Sequence, residues 1–175
     1  TPTIAVNAVG GTKRARISAG VGGRSGLTKS GPGTLALTGE CTYTGTTVVN
    51  AGTLSLGDGT SPAALSNVTS LTVAAGATLD LNFSGTRMIR QLWLGDQWMP
   101  LGFYSAASGL GFITGSGAIM VTVGPNATNI LGYGAVPDAS SDARAAINTA
   151  IASASAGDTV YFPAGVYSIS GPIFA

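Results

Sequence analysis

The stretch GTLAL at residues 33–37 returns as GTLSL at 52–56 and as ATLDL at 77–81. Leu35, Leu54 and Leu79 take equivalent places, spaced 19 and 25 residues apart. Within each copy apolar and polar residues alternate, the period of a strand with one buried face. Leu35 and Leu37, Leu54 and Leu56, and Leu79 and Leu81 therefore point inward, with the Thr and Ser between them facing out. Repeats of about 20 residues that supply one such strand per turn are the mark of a coiled sheet, or solenoid. The expected fold is all-β: a β-solenoid or β-helix with a β-hairpin insertion and one short capping α-helix.

The flanking sequence fits that frame. TTVVNAGTLSLGDG (46–59), LTVAAGATLDLN (71–82) and GAIMVTVG (117–124) all read as short strands punctuated by Gly and Asn. The 175 residues include 27 glycines, and only 9% are charged, against about 25% in ordinary globular domains. A solenoid tolerates this, because each coil satisfies the backbone of the next. With a net charge of +1 the chain has no general attraction to nucleic acid or anionic lipid. No apolar run approaches the roughly 18 residues of a membrane-spanning helix. No leader is visible, and a start at TPTIAV suits a mature chain from which one has been removed. The lone Cys41 excludes an internal disulfide and reads as a small buried filler. Histidine is absent, which removes the commonest metal ligand and the commonest general base. No metal and no cofactor are expected.

RQLWLGDQWMPLGFYSA (90–106) breaks the repeat and reads as a hairpin over one side of the sheet. Its aromatics Trp93, Trp98, Phe103 and Tyr104 serve as a plug, or alternatively as a flat platform for a sugar ring. The first domain thus covers residues 1–124, and 125–129 form a linker. Residues 130–175 follow a different period. SSDARAAINTAIASASAG (140–157) places Ala143, Ala146, Ile147, Ala150, Ile151 and Ala154 at helical spacing. Ser140 or Ser141 is the expected cap, Asp142 sits in the first turn, and Gly157 suits a left-handed terminus. The apolar stripe should lie on the open edge of the following coil, TVYFPAGVYSIS (159–170).

Residues 15–59 resemble the autotransporter-associated β-strand repeat of secreted bacterial surface proteins. Gly26, Leu27, Thr28, Lys29, Gly31, Gly33, Thr34, Leu35, Leu37 and Gly39 follow its pattern in order. So do Tyr43, Thr44, Gly45, Thr47, Val49, Gly52 and Leu54. GFYSAASGLGFITGSGAIMVTVG (102–124) is similar to the closing piece that follows such repeats. Residues 129–170 resemble the opening segment of pectate-lyase-like and polygalacturonase-like β-helices, phage tailspikes included. Tyr133, Gly134, Ala135, Asp138, Asp142, Ile147, Val160, Phe162, Pro163, Gly165 and Tyr167 fit, while DASSD (138–142) lacks that family's Gly after the first Asp. The first resemblance implies a right-handed, extracellular β-solenoid or β-helix without catalysis of its own. The second implies catalytic residues on coils beyond this point, so none is carried over.

The acids Glu40, Asp58, Asp80, Asp96, Asp138, Asp142 and Asp158 offer no convincing pair for glycoside hydrolysis. Asp138 and Asp142 read as a turn former and a helix-start residue, and Asp58 and Asp96 as turn residues. Lys13, Arg14, Arg16 and Arg24 gather half of the positive charge, either as a solvated stretch or as a contact for acidic polysaccharide or a neighbouring subunit. The Asn-x-Ser/Thr triplets at Asn67, Asn82 and Asn126 are read as chance.

The last coil presents a bare strand edge. Either the rest of an enzymatic β-helix continues it, or another copy covers it, building a filament. TPTIAVNAV (1–9) alternates like a strand, which pairs within its own domain or adds to a neighbour's sheet. Candidate subunit contacts are Ile4, Val6, Ile169, Ile173 and Phe174. The expectation is a secreted, non-catalytic structural β-solenoid, a subunit of an extracellular or cell-surface fibre or stalk that self-associates as a homo-oligomer or filament and meets extracellular polysaccharide. The alternatives are the N-terminal portion of a secreted polysaccharide lyase or glycoside hydrolase, and a carbohydrate-binding module.

Overall fold

The structure is a computed structural model, and it describes residues 1–7, 14–59, 65, 69–125 and 127–174. Strands β1 (Thr3–Ala5) and β2 (Arg14–Ile17) open the stack. β3 (Leu27–Ser30) with β4 (Thr34–Leu37), β5 (Thr47–Val49) with β6 (Thr53–Leu56), and β7 (Leu71–Val73) with β8 (Thr78–Leu81) form successive coils. β9 (Thr86–Ile89) starts a further sheet, and β10 (Leu92–Leu94) turns back as β11 (Gln97–Trp98). β12 (Gly102–Ser105), β13 (Ile113–Gly115) and β14 (Ala118–Val121) complete this region. Beyond it lie β15 (Val123–Gly124), β16 (Ala127–Asn129), a 3-10 turn at Ile130–Tyr133 and β17 (Asp138–Asp142). The helix α1 (Arg144–Ser153), β18 (Thr159–Tyr161) and β19 (Val166–Ser168) follow.

The repeated Leu-x-Leu phrases stack in register and in parallel. Leu35 pairs with Leu54 and Leu54 with Leu79, while Leu37, Leu56 and Leu81 form the next row. All six are at most 2% exposed. Burying each contributes about 1.5–3 kcal/mol relative to leaving it in water, and the coil-to-coil bonds satisfy the backbone at no cost in apolar area. The facing wall runs β1-β3-β5-β7-β10-β11 and carries Leu27, Val49, Leu71, Val73, Leu92 and Leu94 into the same core. The chain is thus a β-helix built of parallel sheets.

Stretch 90–106 does not leave the repeat as its composition suggests. β10 pairs in parallel with β7, placing Leu92 and Leu94 opposite Leu71 and Val73, and β13 pairs in parallel with β8. These are the next rungs of the same two sheets. The insertion between them is β11, which folds back antiparallel on β10, and β12, which joins β14 and β9.

The outward rows also differ from a plain polar surface. Ala36 and Ser55 are buried although they alternate with the leucines. Neighbouring coils lie only about 4.8 Å apart, so a short side chain is covered by those on either side. Ser55 donates to Asp80 Oδ2 (2.7 Å) and Thr114 donates to Asp80 Oδ1 (3.3 Å), a coil-to-coil bridge along this row.

Lys29 is fully buried in an otherwise aliphatic row between Ile4 and Val49. Its ammonium donates to the carbonyls of Ser30 (2.9 Å), Gly31 (2.7 Å) and Ala51 (2.9 Å), tying the corner of one coil to that of the next. Burial pulls its pKa below the ordinary 10.5. At an adjacent corner Gly26 is obligatory, because a Cβ there would overlap the Thr46 carbonyl oxygen of the next coil. Cys41 is buried against Val21 and its thiol is pushed up by that burial, consistent with a filler and not a reactive group.

A second, smaller core gathers Ile130, Ala135, Ala143, Ala146, Ile147 and Ala150. Here α1 packs mainly on the preceding 3-10 turn at Ile130–Tyr133, with Val160 and Tyr167 of the following coil only partly covered. The helix is also shorter than its periodicity suggests. Residues 138–142 are strand, paired with β19, and it is Asp142, not Ser140 or Ser141, that accepts the Arg144 amide (3.1 Å). At the other end Ala154 is already extended, so the left-handed Gly157 (φ 93°) belongs to the turn before β18.

Candidate functional site

Three surfaces carry the residues singled out in the sequence. The first is the hairpin. Trp93 on β10 and Trp98 on β11 are cross-strand partners, their rings stacked at 5.6 Å and 11°. Trp93 is 36% exposed, so the pair clasps the hairpin from outside and is not a core plug. The Trp98 Nε1 is buried without a hydrogen-bond partner among the described residues. Phe103 lies on a different sheet, 65% exposed, opposite Met120. Tyr104 is half-buried against the main core, and its hydroxyl donates to Pro100 O (2.9 Å). Burial pushes its phenol pKa up. The four aromatics therefore do not make one platform. Trp98 borders a cleft with Leu94, Met99, Pro100, Leu110 and Phe112. Phe103 borders another, of about 540 Å³, with Leu131, Tyr161 and Pro163.

The second surface is the pair of sheet ends. β1 pairs in parallel with β3, so TPTIAV adds to its own domain and ends the six-stranded sheet. Val6 is 8% exposed, and its amide donates to Ser30 O (3.0 Å). Its side chain belongs to the chain's own core. Ile4 is half-buried on the same core. At the other end β18 and β19 each have one strand partner among the described residues. Around them Tyr161, Phe162, Val166, Ile169, Ile173 and Phe174 are all exposed, Val166 at 66% and Phe174 at 62%. The segment after β19 folds back on α1. Arg144 Nε donates to Pro172 O (3.0 Å), its guanidinium sits 5.8 Å from the Phe174 ring centre, and Phe174 N donates to Asn148 Oδ1 (3.1 Å).

The acids of this coil are engaged with backbone. Asp138 accepts the Ser140 amide (2.9 Å), and Asp158 accepts the Ser155 amide (2.8 Å). Asp142 accepts the Ser170 hydroxyl and the amides of Arg144 and Ser170. Those bonds hold Asp142 below the usual carboxylate range, the Ser170 hydroxyl most of all. Asp138 is lowered in the same way, chiefly by the Ser140 amide. Among the described residues no group of Cys, Asp or Glu could hold a metal ion, and no helix is long and apolar enough to cross a membrane.

The third surface holds the basic residues. Arg14 and Arg16 lie side by side on the outer face of β2, whereas Arg24 is exposed in a turn away from them. Lys13, Asn67 and Asn126 lie outside the described residues, as does part of the proposed linker. Sequence reasoning missed Lys29 and Ser55. For Lys29 alternation with Leu27 assigns the position to the core, whereas for Ser55, between Leu54 and Leu56, it points outward.

Comparison with known proteins agrees with the two resemblances. Residues 27–56 match the passenger-associated-transport-repeat. Residues 127–175 match the family described as rhamnogalacturonase A/epimerase, pectate lyase-like. Over 119 residues the chain is 36% identical to the adhesin BmaC autotransporter of Brucella suis biovar 1 (strain 1330), an alignment that covers 68% of this chain. The chain spans about 3% of the length of that curated relative. No solved structure matches it.

Proposed function

We propose that this chain, an autotransporter-type repeat joined to the opening coils of a pectate-lyase-like β-helix, serves as a non-catalytic stalk segment of a secreted or surface-displayed protein. In this reading residues 1–124 and 130–175 act as two domains, and the segment extends by adding coils at its sheet edges. The observation that carries it is the contrast between in-register parallel ladders inside and strands paired on one side at the ends, β1 and β2 at one and β18 and β19 at the other. The β18–β19 edge, flanked by exposed Tyr161 and Val166, is a template for the next strand, and at the other end β1 offers the uncharged edge while β2 carries Arg14 and Arg16. The adhesin relative supports display at a surface. A copy of the chain stacking its β1 end on the β18–β19 end of another gives an open, head-to-tail contact and hence a filament.

Sedimentation velocity over a range of concentrations, with negative-stain imaging, tests self-association. The expected result is concentration-dependent end-to-end oligomers that are lost in a Val166→Lys, Ile169→Lys variant. A monodisperse monomer at every concentration sinks the self-assembling form of the reading.

A second reading rests on the match over 127–175. There the same coils are the beginning of a carbohydrate-active β-helix, a polysaccharide lyase or glycoside hydrolase, and the exposed Phe103 and Tyr161 flank a sugar-sized cleft. A Phe103→Ala variant that loses binding to a neutral oligosaccharide bound by the parent chain favours it.

A further inference from the structure

On the outer face of the sheet that carries the leucine rows, a concavity of about 370 Å³ is lined by Arg14, Arg16, Thr38, Asp58 and Asn82. It lies wholly within residues 14–82, outside the pectate-lyase-like segment. The strand register builds it. Ile17, Leu37, Leu56 and Leu81 are aligned across β2, β4, β6 and β8. The residues that follow them, Thr38, Gly57 and Asn82, are therefore neighbours on successive coils. Gly57 (φ 91°) turns the chain there and brings Asp58 to the rim. The concavity accordingly runs across the strands from coil to coil.

Among the described residues neither arginine stands opposite an acid on the next strand. Arg14 pairs with Thr34 and Arg16 with Ala36, both uncharged. Two residues apart on one strand face, the two arginines leave the backbone about 7 Å from each other, and this is a chain with 8 basic residues in all. Arg16 Nε donates to Thr38 Oγ1 (3.1 Å), which orients the guanidinium while its terminal nitrogens take no partner among the described residues. A planar guanidinium so held matches a carboxylate through paired N–H···O bonds. The remaining lining groups are a hydroxyl, an amide and a carboxylate, the donors and acceptors that ring hydroxyls need. Asp58 also repels densely charged ligands such as polyphosphates or nucleic acid. The volume is at the lower end for ligand pockets, enough for one charged ring with the rest of an extended chain lying along the coils.

We propose that this concavity binds a uronic acid unit of an acidic polysaccharide, Arg14 and Arg16 holding its carboxylate and Thr38, Asp58 and Asn82 its hydroxyls.

Calorimetric titration of the whole chain with oligogalacturonate, oligoalginate and oligoglucuronate tests it, with cellohexaose as the neutral control and polyglutamate as an acidic peptide. At least one uronate is expected to bind, with affinity reduced at least tenfold by Arg16→Gln and by Arg14→Gln, and less by Arg16→Lys. Arg24→Gln, an exposed arginine outside the concavity, should leave it unchanged. Circular dichroism melting of each variant checks that the edge strand still folds, and a variant that melts with the parent is the one scored. Binding to none of the uronates overturns the proposal. So does equal binding of cellohexaose, a loss with Arg24→Gln as large as with Arg16→Gln, or polyglutamate binding as tightly as the sugars, which would make this a peptide site.

Discussion

Leu54 and Val166 stand on strands of the same kind, short and paired in parallel, yet the first is 0% exposed and the second 66%. Leu54 has a leucine stacked on it from either side, Leu35 and Leu79. Val166 has one strand partner among the described residues, Asp138, and it lies on the outer face of β19, where Tyr167 takes the inner one. What separates the stack from the last coil is therefore both the face a residue takes and the number of neighbours stacked on it. In a β-helix each coil takes its stability from the coils stacked on it.

The sharpest way to break this comparison is to shorten a side chain in each region. Leu54→Ala should cost about 2–5 kcal/mol, the range for a leucine removed from a well-packed core. Val166→Ala should stay within about 0.5 kcal/mol, as for other exposed positions. Urea midpoints of the two variants measure the difference, and equal shifts would mean that the last coil is buried in solution.

Next in size is Lys29→Met. A methionine suits the aliphatic row better than lysine, so simple hydrophobicity predicts a gain in stability. The hydrogen bonds predict the opposite. Three carbonyls lose a charged donor and stay where they are, which should cost about 1.5–3 kcal/mol. A stabilised variant would show that the ammonium is merely accommodated there.

Acid should separate the regions without any mutation. Asp138 and Asp142 both have pKa values lowered from the ordinary 3.8 by bonds they accept in the folded coil. A carboxylate lowered by folding lends stability that is fully present above its unfolded pKa and is lost as the pH falls through the folded one. Amide protection in β17, β19 and the first turn of α1 should therefore fall below pH 3.8 before that of β4 and β6. Asp142→Asn should remove most of this dependence. Simultaneous loss in both regions would argue that they unfold as one unit.

These regions also differ in how plainly the sequence announces them. The leucine rows were legible because alternation and a recurring phrase both point to Leu35, Leu54 and Leu79. The capping helix was legible in its stripe but not at its ends. Asp142 looks like a helix residue by spacing, whereas its carboxylate binds Ser170 from 28 residues away and commits 138–142 to a strand. Rungs β10 and β13 were hidden by the insertion between them, since nothing local shows that Leu92 lies on Leu71. Lys29 was misleading in another way. A charged residue in a strand reads as solvent-facing, and only the carbonyls of two coil corners, brought together by the stack, make its burial possible.

The smallest effect expected is at the hairpin, and it decides what the tryptophan pair is for. Stacked at 5.6 Å across β10 and β11, Trp93 and Trp98 spend one ring face each on the other. Such a pair contributes about 0.5–1.5 kcal/mol beyond its buried area. If it is a clasp, Trp93→Ala should cost about that much and leave any glycan binding untouched, because the concavity at Arg14 and Arg16 is on another sheet. If it is a sugar platform, the same variant should keep its urea midpoint and lose affinity for oligosaccharide. The stacked geometry favours the clasp, since a ring already covered by its partner has only its outer face to offer.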